Sequence, residues 1–302
     1  MDRRNFLKTG GIALLGSLAT GSAMALTTPG ALGGEGADKK AAVALAMNHF
    51  GVSEADLKKV LAAALEKGGD YPDLFFEHTI SNSIRLMDGA VNNSYSNIDY
   101  GVGVRVLIGD QSGYAYVENI TVEDMLKAAR TAARIASANK GNKPLNLTEK
   151  ELKKNYYTVA SPWEEVSLKD KMPYLQKLND RIFALDKRVH KVQASQSDTT
   201  SHIFFCNSEG VMFYDYRPMV TLGAVCIMEE DGKTENGYAA RAYRRGFDFL
   251  SDEVVDVIAR EAVDQTSLLF KAIKPKGGEM PVVMGAGGSG ILLHEAIGHT
   301  FE

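Results

Sequence analysis

Tyr100-Gly101-Val102-Gly103-Val104-Arg105-Val106-Leu107-Ile108-Gly109-Asp110 is followed, after Gln111, by Ser112-Gly113-Tyr114-Ala115-Tyr116-Val117. β-Branched and aromatic residues dominate both runs, and Gly109-Asp110 separates them, so the stretch reads as a β-hairpin. Gly101-Val102-Gly103 is not a dinucleotide loop. The third glycine of that fingerprint is missing, and strand rather than helix follows. Glycines inside a strand instead mark places where backbone or a neighbouring ring approaches closely.

The pattern extends outward from this hairpin. Upstream, Leu74 to Ile80 reads as one strand and Ser83 to Val91 as a hairpin turning at Asp88-Gly89, a strong type I′ signal. Before the strands, Ala41 to Met47 and Ser53 to Lys67 read as helices. Ser53 is an N-cap with Asp56 three residues on, Gly68-Gly69 is the stop, and Leu57, Val60, Leu61 and Ala64 form one apolar face. Downstream, Thr121 caps a helix through Met125, Ala129 and Ile135. Asn139 to Tyr157 is polar and irregular. Ser167 caps a second long helix, carrying Leu175, Leu178 and Ile182 inward. Strands resume at Val189 to Ser197 and His202 to Asn207, turn at Ser208-Glu209-Gly210, and continue through Val211 to Tyr216 and Pro218 to Glu229 to a turn at Asp231-Gly232. The run from Tyr238 to Gly246 extends this meander. Ser251 or Asp252 caps a third helix, and a basic link leads to Pro281-Val282-Val283-Met284, read as a short buried strand. Hairpin and helix blocks thus come in two rounds, roughly 71–138 and 167–270. The expected fold is α+β, with a large mixed or mostly antiparallel sheet and packed helices, rather than a doubly wound parallel sheet.

The 302 residues carry a net charge of −4 with 45% hydrophobic and 24% charged residues, ordinary values for a globular protein with a sizeable core. No basic excess points to a nucleic-acid partner. Two cysteines, Cys206 and Cys226, do not make a disulfide framework; both sit in apolar strand-like runs, where buried free thiols are expected.

The first 25 residues read as an address. Arg3-Arg4 precede Phe6-Leu7-Lys8, a glycine-diluted apolar run from Thr9 to Leu18 follows, and Ala23-Met24-Ala25 offers a cleavage site. This resembles a twin-arginine export signal, which implies an extracytoplasmic or periplasmic destination; an ordinary amphipathic helix is the alternative. The apolar run is well short of the roughly 20 residues that span a bilayer, so no stable membrane span is expected. Residues 26–40 read as a flexible linker, and residues 41–270 as one α+β domain.

The chemistry concentrates in residues 271–302. Behind the run Gly285-Ala286-Gly287-Gly288-Ser289-Gly290 come His294-Glu295-Ala296-Ile297-Gly298-His299. On a regular helix, residues five apart lie about 140° apart, against about 40° for residues four apart. Both histidines reach one ion only if the helix is unwound or bulged, which Gly298 would ease. Glu295 follows the first histidine as the general base does in His-Glu-x-x-His zinc hydrolases. Two histidines are fewer than the three protein ligands of catalytic zinc. The other histidines, His49, His78, His190 and His202, show no metal spacing and read as satisfied surface or core residues.

The run from Gly285 to Glu302 resembles the metal motif of the TldD/PmbA family, on its TldD branch. The Tyr100–Val106 strand with Gly113-Tyr114-Ala115-Tyr116, the Asn207–Gly210 turn and the Arg244–Phe247 segment agree with the same family, in order, from about Asp73 onward. The resemblance implies a zinc peptidase acting on unfolded or extended peptides. His294 and His299 would bind Zn2+, Glu295 would be the general base, and Glu302 would stand behind the ligands. It also implies a homo- or heterodimer with a TldD/PmbA-family subunit, and peptide held by strand addition. The family's third ligand is a cysteine of a C-terminal domain, and neither Cys206 nor Cys226 matches its place. A chain stopping mid-helix at Glu302 leaves carbonyls uncapped, so a truncated N-terminal part, inactive alone, is the expectation. The alternative is a non-catalytic, peptide-binding partner subunit. The export signal departs from the cytoplasmic members of the family.

Overall fold

The structure is a computed structural model that describes residues 39–136, 147–149, 159–274 and 276–301. The signal, most of the linker, the bulk of the 139–157 connection and Glu302 lie outside the described residues. Lys39 and Lys40, read from the sequence as linker, form the first turn of a helix.

Among the described residues one sheet of seven strands carries the fold. Helices α1 (Lys39–Phe50) and α2 (Glu54–Leu65) lead into β1 (Tyr71–Met87), β2 (Ala90–Ile108) and β3 (Gln111–Val117), and α3 (Val122–Ile135) follows. The short β4 (Thr148–Glu149) precedes α4 (Leu168–Leu185). Then come β5 (Val189–Asn207), β6 (Val211–Glu230), β7 (Lys233–Tyr243), α5 (Asp252–Leu269) and α6 (Gly288–Ala296). The strand order is β3-β2-β1-β5-β6, with β7 and β4 both on the outer side of β6. All pairings are antiparallel except the two-residue β4–β6 contact, so the sheet is mixed but mostly antiparallel, as expected.

Local chemistry sets these elements. Asp88 and Gly89, with φ of 50° and 79°, supply the left-handed pair that a type I′ turn needs, and Asp231 and Gly232 repeat it at 51° and 75°. Ser53 with Asp56 and Ser167 with Asp170 form capping boxes, while Thr121 and Ser251 accept N3 amides as simple caps. Gly113 is required by contact: a Cβ there would stand 2.0 Å from the carbonyl oxygen of Ala132, where α3 lies against β3. Gly103 lies under the ring of Tyr114, the close approach that its position in a strand suggested.

Side chains alternate across the sheet, and every helix-covered position of the paired strands falls on one face. Leu74, Phe76, Val102, Val104, Val106, Phe204 and Cys206 meet α1, α2 and α3 in one core. Ile84, Leu86, Val192, Leu222, Ala224 and Cys226 meet α4 and α5 in a second. Fully burying side chains such as Leu57, Leu61 or Leu178 contributes about 1.5–3 kcal/mol each, which is what holds these helices down. Among the described residues the opposite face has no helix on it, and it is joined by hydroxyls: those of Thr79 and Ser201 are 2.8 Å apart, and those of Ser81 and Thr199 3.2 Å apart. Antiparallel sheets tolerate one such solvated face.

Between the two cores, on the helix-covered face, runs a polar band. Asn82 of β1, Gln196, Asp198, Thr200 and His202 of β5, and Tyr214 and Tyr216 of β6 lie along it, met by Lys171 of α4 and by Glu164 of the 3-10 turn Trp163–Glu165. This band corrects the strand boundaries read from the sequence. Leu74–Ile80 and Ser83–Met87 are one strand, as are Val189–Ser197 and His202–Asn207, and Val211–Tyr216 and Pro218–Glu229. The polar stretches that looked like breaks are strand residues crossing the band. Pro218 is tolerated because β7 first pairs β6 at Val220, leaving the outer side of β6 open at the proline.

One further expectation is overturned. Pro281–Met284 is not a strand and is not buried: Val283 is 97% exposed. No strand among the described residues pairs with it, and an apolar sequence alone does not make a strand without a neighbour.

Candidate metal centre

Helix α6 begins in the glycine run. Gly287, with φ of 110°, precedes it in a conformation that L side chains rarely adopt, and the Ser289 hydroxyl donates back to the carbonyl of Gly285. Ile297 N–H still bonds to the Leu293 carbonyl at 2.9 Å. Its φ and ψ of −125° and −44° nevertheless end the helix, and a 3-10 turn, Gly298–Phe301, follows. The five-residue spacing is therefore accommodated by unwinding at Ile297 and not by a π-bulge. The break brings the rings of His294 and His299 to a centroid distance of 4.4 Å. Gly298 makes room for this, because a Cβ there would stand 3.2 Å from Nδ1 of His294.

Glu295 completes the cluster. One of its carboxylate oxygens lies 3.6 Å from Nε2 of His299, and ligand atoms of His294, Glu295 and His299 all fall within 4.8 Å of one another. Among the described residues this is the one group of three or more histidine, cysteine or acidic side chains so disposed. Two imidazole nitrogens and a carboxylate suit zinc, which takes histidine at about 2.0–2.1 Å. The donor set therefore fits such an ion. All three residues are exposed, and no residue of α6 is buried. Ile291, Leu292, Leu293, Ile297 and Phe301 are instead open apolar surface.

The cysteines do not join this group. Cys206 lies wholly within the first core and Cys226 within the second, and both are free thiols. Burial pushes both thiols above the ordinary cysteine range. His190 is exposed. The other three histidines outside the motif, however, are not scattered: His49, His78 and His202 stack together at the edge of the polar band. Sequence reading missed this cluster. The signal that reveals it is the β1–β5 register, which sets His78 opposite His202, and that register is not visible in the spacing.

No helix among the described residues is long and apolar enough to cross a membrane.

Comparison with known proteins places the chain. Residues 73–136 match the family description "PmbA/TldA metallopeptidase domain 1", and residues 161–270 match "PmbA/TldA metallopeptidase central domain". These segments coincide with the first block of strands and its helix and with the second block. The chain is 34% identical over 243 residues to a metalloprotease TldD homolog of Haemophilus influenzae, covering 77% of this chain and 50% of that protein. It is 23% identical over 251 residues to a zinc metalloprotease TldD homolog of Saccharolobus solfataricus, covering 81% and 53%. The crystal structure of TldE from Thermococcus kodakarensis superposes with a TM-score of 0.53 at 16% identity, covering 70% of this chain and 47% of that one. The chain spans about half the length of the curated relatives it matches. With two successive domain matches, a sheet shared with a solved relative and the histidine-glutamate cluster behind them, this chain belongs to the TldD/PmbA family, whose curated relatives are named metalloproteases.

Proposed function

We propose that this chain carries the metal motif of a TldD-type zinc metallopeptidase that cleaves unfolded or extended peptides. The observation that carries it is the convergence of His294, Glu295 and His299 on one point, produced by the helix break at Ile297. His294 and His299 hold the ion. When bound, zinc polarises the scissile carbonyl and acidifies water at its open position. Glu295, adjacent to one ligand and four residues before the other, is the general base, taking a proton from water and passing it to the leaving amine. A further ligand comes from outside this cluster, since both cysteines of the chain are locked in the cores.

The sheet supports an extended substrate. β3 is an edge strand and pairs β2 only from Val102 to Ile108, so the outer side of β2 from Val91 to Tyr100 has no neighbour among the described residues. An open groove of about 430 Å3 beside it is lined by Phe75, Ile98, Tyr100, Tyr114 and Tyr116. A peptide added to such an edge gains main-chain hydrogen bonds, which a folded protein cannot supply. The Arg3-Arg4 signal sends the protein out of the cytoplasm by the twin-arginine route, and a second TldD/PmbA-family subunit is its partner.

The test is zinc content together with hydrolysis of an unfolded peptide by the protein in the presence of whatever supplies the further ligand. Glu295→Gln keeps stoichiometric zinc and loses turnover by on the order of a hundredfold or more. Undiminished turnover in that variant rejects the assignment of Glu295.

A further inference from the structure

His49, His78 and His202 come from three separate elements. Nε2 of His49 on α1 lies 2.8 Å from Nδ1 of His78 on β1. The His49 ring also stacks on His202 of β5, with centroids 4.5 Å apart and planes 22° apart. His78 and His202, opposite one another across the strand pair, have centroids 5.9 Å apart. Only His49 belongs to α1. Its neighbour Phe50 is the helix's main apolar anchor, with its ring 5.4 Å from Phe76, 6.0 Å from Tyr100 and 6.5 Å from Phe204.

We propose that this cluster is a proton-sensitive latch: acidification charges His49 and His78, breaks the contact between them and releases α1 from the sheet, uncovering the aromatic rings of Phe76 and Phe204. The geometry gives the reason. The 2.8 Å contact needs a hydrogen on one nitrogen and a lone pair on the other, so it does not survive protonation of both rings. Two charged rings in contact also repel.

The groups facing His49 work mostly against its charge. β1 presents His78 and β5 presents His202, while β2 sets the ring of Tyr100 against His78. β6 presents Tyr214 and Tyr216, whose hydroxyls bond to His202 at 2.7 Å and to Glu164 at 2.9 Å. Among the described residues Glu164 is the one carboxylate in the cluster. Its oxygens are already engaged by His202, Tyr216 and Thr200. In α1 itself the basic residues, Lys39 and Lys40, are at the other end of the helix. His49 is open to solvent on its outer side; desolvation of its stacked side first, then the charges of His202 and His78, lower it to about 4, and Glu164 offsets this only in part. Burial and His202 lower His78 as well.

These directions fix the sign. A histidine held below its ordinary 6.5 contributes fully to docking above that pH, and the contribution is lost as pH falls towards about 4. The docked helix and the charged cluster are alternatives.

Hydrogen exchange of the α1 amides, read by mass spectrometry at pH 7.5 and pH 5.0 and corrected for intrinsic exchange, tests this. In the wild-type protein, protection falls by about tenfold or more at the lower pH. In His49→Gln, which keeps a hydrogen-bonding side chain but cannot titrate, protection stays level. Equal wild-type protection at both pH values, or a loss in His49→Gln as large as in wild type, overturns the latch. If His49→Gln does not dock α1 at pH 7.5, NMR titration of the wild-type histidines decides: depressed midpoints for both His49 and His78 support it, and ordinary midpoints near 6.5 overturn it.

Discussion

Nζ of Lys171 lies 2.6 Å from Oδ2 of Asp198, and both side chains are almost wholly shut away from solvent. Lys171 comes from the first turn of α4 and Asp198 from the middle of β5, so the pair ties the second helical layer to the polar band. Gln196 and Asn82 donate to the same carboxylate at 2.9 Å and 3.0 Å. The charge is therefore compensated by one cation and two amides. Lys171→Met would leave it with the amides alone, and the expected cost is about 3–5 kcal/mol in chemical denaturation. The double variant Lys171→Met with Asp198→Asn removes charge from both sides and recovers part of that loss. A single variant as stable as wild type would show that the pair is dispensable.

Two glycines on neighbouring strands are expected to respond to alanine to very different extents. At Gly113 the added methyl meets the backbone of α3, which cannot move alone, and the cost is about 1–3 kcal/mol or more. At Gly103 it meets only the end of the exposed Tyr114 side chain, which can swing away, so the change is under about 1 kcal/mol. Thermal unfolding of the two variants separates them.

Cys206 and Cys226 sit in different cores, and burial disfavours both thiolates. Thiol reagents are expected to leave the native chain unlabelled and to modify two thiols per chain in denaturant. Rapid native labelling would contradict the packing.

Gly298→Val places branched carbons against the imidazole of His294. Zinc affinity, measured by chelator competition, is expected to fall on the order of tenfold. The unfolding midpoint should not change, because α6 buries none of its residues. A shift in stability with unchanged affinity would assign Gly298 to folding instead.

The legible parts of this sequence were those written in local chemistry. Asp88-Gly89 and Asp231-Gly232 announce their turns because few other residue pairs adopt those angles cheaply, and Ser53, Thr121, Ser167 and Ser251 announce helix starts. The histidines and glutamate of the terminal motif are close in sequence, so their spacing demanded an unwound or bulged helix; that it unwinds at Ile297 shows only in the structure. What stayed hidden depends on register. Asp198, Thr200 and Pro218 read as interruptions until β1, β5 and β6 are laid side by side, when they fall into one stripe. His49, His78 and His202 come together only through that alignment and a helix laid over it. The misplaced strand at Pro281–Met284 shows the reverse error, in which apolar composition was taken for burial.

β1, β5 and β6 are 17, 19 and 20 residues long, about 55–70 Å of extended chain, and each runs uninterrupted beneath both cores. The two helical layers are thus mounted on a common set of beams. Stripping either layer would leave half of each beam without its cover while the other half stayed clamped, and the exposed ends would twist against the hydrogen bonds of the clamped portion. Mechanical load applied at one layer is therefore passed along covalent chain to the other, across the polar stripe. Such a beam has a stiffness that two separately folded halves joined by a linker would lack.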